Sequence, residues 1–331
     1  VRNPTQPQAP EAEARGVPGG VSGAFQCVEN FKANTEPCDD GNPTTDPDRC
    51  NGSGGCAGPL RCAGITCTGN FFVQTLETLD ALRECAHISG DLVIRGGTSL
   101  EDVGALAKLQ TVGGHLIVEA NDQITSLNGL ANLQSVGGGL FIEQNKALLS
   151  LDALMNVTSI GDRLSVTGNG ALTTVEGLSQ VESVGDSLAI SYNKSLEKID
   201  SLSSLVTVGH LLIDHNIALK VVEGFDAVEE IAVLEISENP SLTHIVGFEN
   251  LKTLNNFLMG DNVMLEVLSG FSQVVATEGE LTIAGHRGLV TVDALKNLAR
   301  VGGNFFVVRN DILSDLDCFS NLETIDGLVF I

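Results

Sequence analysis

The sequence predicts an all-β solenoid, a parallel β-helix of leucine-rich turns, on three observations. The first is a period of 23–25 residues from about Asp91 to the C-terminus. GGHLIVEANDQITSLNGLANLQSV starts at Gly113, GGGLFIEQNKALLSLDALMNVTSI at Gly137 and GDRLSVTGNGALTTVEGLSQVESV at Gly161. A short unit repeated at such a period cannot bury its apolar face alone, so it stacks on its copies. The second is a pair of apolar columns. Leu116, Leu140, Leu164, Leu188, Leu211, Leu234, Phe257, Leu281 and Phe305 are each followed, two residues on, by Val118, Ile142, Val166, Ile190, Ile213, Ile236, Met259, Ile283 and Val307. Apolar residues at a spacing of two mark a strand with one face inward. The third is the column Asn121, Asn145, Asn169, Asn193, Asn216, Asn239, Asn262, His286 and Asn310. Asparagines stacked at a corner can bond the backbone groups that the bend leaves unpaired, and can bond one another.

Composition agrees. The chain has 331 residues, 43% of them hydrophobic but only 4% aromatic, with no Trp and one Tyr. Layers of Leu, Ile and Val need few large rings. A compact globule of this length would divide into two cores, whereas a solenoid grows along one axis.

The elements follow in chain order. Residues 1–26 are rich in Pro, Gly and Ala without apolar periodicity, which predicts a flexible, extended arm that would be ordered only when docked on a neighbouring subunit. Residues 27–66 form a Cys-rich module. Dense cysteines in a short Gly/Asn/Asp-rich segment read as a disulfide framework and a secretory, oxidising route. Zinc is the competing reading, although no CxxC pair occurs and no His precedes His87. Asp40, Asn42, Thr44, Asp46 and Asp48 place oxygen donors at every second position, as calcium prefers. The Gly and closing Glu of an EF-hand loop are missing, and a turn-rich disulfide knot is the alternative. Calcium on Asp40, Asn42, Asp46 and Asp48 is the one cofactor the sequence suggests.

Residues 67–331 form the solenoid. After each strand come apolar residues at spacings of three, such as Leu148, Leu151, Leu154, Val157 and Ile160, which carry the chain back to the next strand. Gly129, Ala153, Gly177, Ser201, Gly224, Gly247, Gly270, Ala294 and Cys318 mark a corner with no room for a large side chain. Cys318 stands turns away from the other cysteines, beyond the reach of about 7 Å that a disulfide allows. It is expected to be a buried free thiol or to pair outside the chain. Val1 reads as a processed or truncated start. Ile331 falls within the strand GLVFI of a fresh repeat, so the chain is expected to continue or to dock there.

The segment CTGNFFVQTLETLDALRECAHISGDLVIRG, Cys67 to Gly96, resembles the opening of a receptor L domain. The shared features are a first Cys, a strand over Asn70–Val73, an amphipathic helix with Leu76, Leu79 and Leu82, a second Cys and a strand over Ile88–Ile94. The L-x-I-x-x-N-x-x-L-x-x-L repeats extend the resemblance to Ile331. It implies a right-handed, leucine-rich β-helix and a Cys67–Cys85 bridge that ties the helix over the open end as a cap. This chain has more numerous and more regular turns and no closing Cys-containing cap, so growth-factor binding does not transfer. Ordinary leucine-rich repeats are the alternative fold, because LQSVGGGLFIEQN also fits their core pattern. The segment Cys38 to Cys62 resembles the small CDDGN modules of secreted surface proteins.

Charge and motifs narrow the function. A net charge of −24 opposes binding to phosphate backbones and to anionic membrane surfaces. No apolar run reaches about 18 residues, so no membrane insertion is expected within the chain. His115, Arg163 and His210 share one outward column, but at two-turn intervals of about 10 Å. Catalytic partners need hydrogen-bond reach, and no nucleophile, phosphate-loop or HExxH motif occurs, so the chain is read as a non-enzyme. Asn51, Asn156 and Asn193 stand in glycosylation sequons. Asn193 belongs to the ladder and is expected to be unmodified, which leaves Asn51 and Asn156 as glycan acceptors.

Between the two inward columns lie outward positions where polar residues would be expected. Ile117, Phe141, Leu212, Leu258 and Phe306 are apolar instead. Two readings follow: a covering loop or arm, or a contact strip for another protein. The sequence is therefore read as a secreted or cell-surface scaffold working through protein–protein contact. Its leading form is a structural subunit of a cell-surface or fibre-like assembly, and the alternative is the ligand-recognition ectodomain of a receptor or adhesin.

Overall fold

The computed structural model describes residues 65–314 and 316–331, together with two short strands, Pro37–Cys38 and Asp48–Arg49, that pair antiparallel. The arm and most of the Cys-rich module lie outside the described residues. With them lie Asn51 and the side chains of Asp40, Asn42, Asp46 and Asp48.

From residue 65 onward the chain is a parallel β-solenoid of about 11 turns. Its main sheet stacks one strand per turn without slippage. Leu116 pairs with Leu140, Leu140 with Leu164, Leu164 with Leu188 and Leu188 with Leu211, and the register runs on through Phe257 and Leu281 to Phe305 and Val329. A one-residue slip would turn the Leu and Ile columns to solvent, so the apolar pattern itself holds the register. Both columns are buried from Leu92 to Val307. Short strands such as Thr111–Val112, Ser135–Val136 and Ser159–Ile160 form a second face, again in parallel register.

The period varies for a local reason. Val184 is followed by Leu188 four residues later, Val208 by Leu211 three residues later. The longer spacing leaves a bend between the two faces. The shorter one straightens it, and the two faces merge into the continuous strands Glu230–Ser237 and Thr253–Gly260. Glycine marks the bend in the longer turns, because a Cβ on Gly161 would lie 2.0 Å from the Gly137 carbonyl oxygen of the turn below.

The far corner also takes two forms. Some turns close with a 3-10 helix, as at Asn128–Leu130, Asp152–Leu154 and Glu176–Leu178. In others Gly224, Gly247 and Gly270 adopt positive φ, and Phe225, Phe248 and Phe271 follow. These rings stack inside the core at 5.0 and 4.9 Å. The small-residue column is thus a corner, as the sequence suggests.

The N-terminal end is capped as the receptor L domain resemblance implies, by the disulfide Cys67–Cys85 and the helix Leu76–Asp80. Thr75 and Thr78 close the helix start with a reciprocal capping box. Two details differ from expectation. Leu79 and Leu82 are buried but Leu76, the first residue of the five-residue helix, is exposed. The expected strand over Ile88–Ile94 is two strands, Cys85–Ile88 and Leu92–Ile94, on different faces with a bend between them.

Candidate functional site

The asparagine ladder is structural. Asn121, Asn145, Asn169, Asn193, Asn216, Asn239 and Asn262 are fully buried. Asn145 shows the pattern. Its Nδ2 donates to the Val118 carbonyl at 2.8 Å and to Asn169 Oδ1 at 3.3 Å, and its backbone N–H donates to the same Oδ1 at 3.0 Å. Each side chain thereby satisfies backbone groups of the preceding turn and bonds the next asparagine of the ladder. The residue before the ladder lies in the left-handed region in turn after turn: Ala120, Gln144, Tyr192, His215, Glu238, Asp261 and Arg309 have φ between 49° and 59°.

A second amide column, not anticipated from the sequence, lines the far corner. Nδ2 of Asn132, Asn156, Asn250, Asn297 and Asn321 donates at 2.7 Å to a carbonyl of the preceding turn. The signal was legible as amides recurring one residue before the buried Leu133, Val157 and Leu298. Asn156, one of the sequon residues, is therefore an exposed corner residue, whereas Asn193 is buried.

The outward face of the main sheet holds the residues singled out for contact. Ile117, Phe141, Leu212, Leu258 and Phe306 occupy one register-matched column and are each half-buried. They do not form an unbroken strip. Ser165 and Ala189 interrupt the column after Phe141, Glu235 after Leu212 and Thr282 after Leu258. What remains is a patch at Val93, Ile117 and Phe141, an isolated Leu212 and Leu258, and a second patch where Phe306 meets Phe330 at 5.5 Å.

The outward basic column is dispersed. His115 Nδ1 accepts from the Gly139 backbone at 2.7 Å and its ring meets Phe141 edge-on, while His210 Nε2 is buried without a partner. Arg163 joins neither. Among the described residues no group of three or more His, Cys, Asp or Glu side chains is placed to hold a metal ion.

One cluster on this face was not foreseen. Tyr192, the chain's single tyrosine, is 49% exposed and stacks on His215 at 4.3 Å. His215 Nδ1 lies 2.6 Å from Asp214 and its Nε2 lies 2.7 Å from Glu238. Desolvation, then the Asp214 and Glu238 carboxylates, hold the Tyr192 hydroxyl above its ordinary pKa of 10.0. Beside it, Ser165, Ser187, Ala189 and Ser191 make a run of small buried outward residues. The Oγ of Ser191 and one carboxylate oxygen of Asp214 have no partner. The sequence carried a trace of this cluster, because the residues before each ladder Asn form a column of their own.

Residues 84–172 match the receptor L domain family. A search of curated proteins found no match to the chain. The matched stretch runs from the cap past the ladder residue Asn169 and contains Ile117, Phe141, Ser165 and Asn156. Receptor L domains are a non-enzymatic kind of module, typically extracellular, that mediates protein interactions. Among the described residues no helix is long and apolar enough to cross a membrane.

Proposed function

We propose that the solenoid is an extracellular, non-catalytic protein-recognition module that engages its partner through the outward face of the main sheet. The observation that carries this reading is the patch of Val93, Ile117 and Phe141. These half-buried residues lie side by side on the outward sheet face, inside the stretch that matches the receptor L domain. A second reading, a structural subunit of a cell-surface or fibre-like assembly, draws support from the recurrence of apolar residues at Leu212, Leu258 and Phe306 along the same face. Spaced patches on one face suit lateral contact between copies, and a stable contact would bury about 1,000 Å² or more.

Replacing Ile117 and Phe141 together by Lys tests both readings. Because both side chains point away from the core, the thermal unfolding profile should stay within a few degrees of the parent. Association should be lost, with a partner in the first reading and with itself in the second. Light scattering separates the two: a parent chain that stays monomeric at high concentration rules out the assembly. A double variant that fails to fold would show that the patch belongs to the core. The secretory route carries its own expectation. Expressed through that route, the chain should bear a glycan on Asn156 and none on the buried Asn193, as peptide mass spectrometry would show.

A further inference from the structure

We infer that the open layer at Gly168 is a slot for an arginine side chain of a basic protein partner, an inference that rests on the recognition role proposed above. Gly168 occupies the column that holds Gln144 one turn before and Tyr192 one turn after, all with positive φ. Turns lie about 4.8 Å apart, so a missing side chain leaves a gap one layer thick. The three nearest neighbours of a Cβ placed on Gly168 all belong to Gln144, the nearest at 3.5 Å. Tyr192 packs its other face on His215 instead. The ring is a fixed plate, because Asp214 and Glu238 hold His215 from both sides.

The chemistry of the slot selects its occupant. The carboxylates of Asp214 and Glu238 flank the Tyr192–His215 stack, and both act on the Tyr192 hydroxyl. A carboxylate only accepts, so the ligand must donate. Glu143, on the Gln144 side, uses one oxygen to accept from Ser165 at 2.6 Å. A guanidinium group is planar, stacks on tyrosine and donates to carboxylates from its edges. A saccharide ring could also stack, but the excess of carboxylates favours a cation. The net charge of −24 would draw a basic partner towards the face.

The chain has one Tyr and no Trp, so its intrinsic emission reports on Tyr192. The whole chain would be titrated with N-acetyl-arginine amide and, separately, with maltotriose. The arginine probe should change the emission saturably. Gly168→Gln should weaken it about tenfold or more, the scale of a lost stacking and charge-assisted contact. That variant places in the gap the side chain that the neighbouring turn carries at Gln144 in the same backbone conformation, so the fold should accept it. Asp214→Asn is the second variant and should weaken the response to a similar degree if Gly168→Gln melts early. Saturation by maltotriose alone, no saturable response, or a response unchanged in a folded variant would each overturn the slot. The Ile117→Lys and Phe141→Lys double variant should keep the arginine response while losing association. A failed titration with association intact would therefore remove the slot and leave the recognition role standing.

Discussion

His286 shows how one residue can depart from a repeat without breaking it. It stands in the ladder where the other buried members are asparagines, and its Nδ1 lies 3.2 Å from the Asn262 carbonyl. A ring nitrogen facing a carbonyl must be the donor, so the lone pair of Nε2 is left buried without a partner. Burial, partly offset by the Asn262 and Met259 backbone groups and by the Asp261 carboxylate, pushes the imidazole pKa below its ordinary 6.5. Folded His286 therefore stays neutral where the unfolded residue takes a proton, and stability is lost as pH falls below 6.5. Replacing it by Asn should restore the ladder, with Oδ1 accepting from the Asn262 N–H. The expected gain is about 1–2 kcal/mol near pH 7.5, the usual scale for a repaired buried group, and it should be larger at pH 5. Urea unfolding at the two pH values checks this, and a gain that does not grow on acidification would remove the protonation account.

At the scale of the element, two amide columns use the same residue type with different consequences. Removing Asn193 would strand the backbone N–H and the Nδ2 of Asn169, which donate to its Oδ1 at 3.0 and 3.4 Å. It would also take from the Val166 carbonyl its donor at 2.8 Å. No water reaches these groups, so Asn193→Ala should cost about 3 kcal/mol or more. Asn156 makes a shorter bond, 2.7 Å to Ala131, but it is exposed and water can replace it. Asn156→Ala should cost less than about 1 kcal/mol. Chemical denaturation of the two variants gives the comparison, and equal losses would contradict the burial difference. The ladder also fixes the left-handed residue before it, a conformation that costs an L-residue about 1–2 kcal/mol.

Across the whole molecule each turn touches only its neighbours, so a local lesson should stay local. The Cys67–Cys85 bridge closes a loop with a sequence separation of 18 at the N-terminal end. Loops of that size contribute about 3 kcal/mol. Replacing both cysteines by Ser should therefore raise amide exchange over residues 65–95. Protection around Asn216 to Asn262 should be unchanged. Uniform loosening would mean that the solenoid unfolds as a single unit and that its turns are more strongly coupled than nearest-neighbour stacking allows.

Much of this architecture was written in local pattern. Leucines two apart and asparagines at a fixed interval specify strand, register and corner, because each position meets its own copy in the next turn. The cap was legible as well, through the resemblance carried by Cys67, Leu79 and Cys85. The outward face was legible only in part. Ile117 and Phe141 could be assigned to it by alternation, and the repeat already places Ser165 and Ala189 between them and Leu212, but the burial of those two small residues could not be read. The pairing of Tyr192 with His215 depends on how side chains lean between turns. Alternation fixes the direction of a side chain relative to the core; contact along the stack is decided by three-dimensional spacing alone.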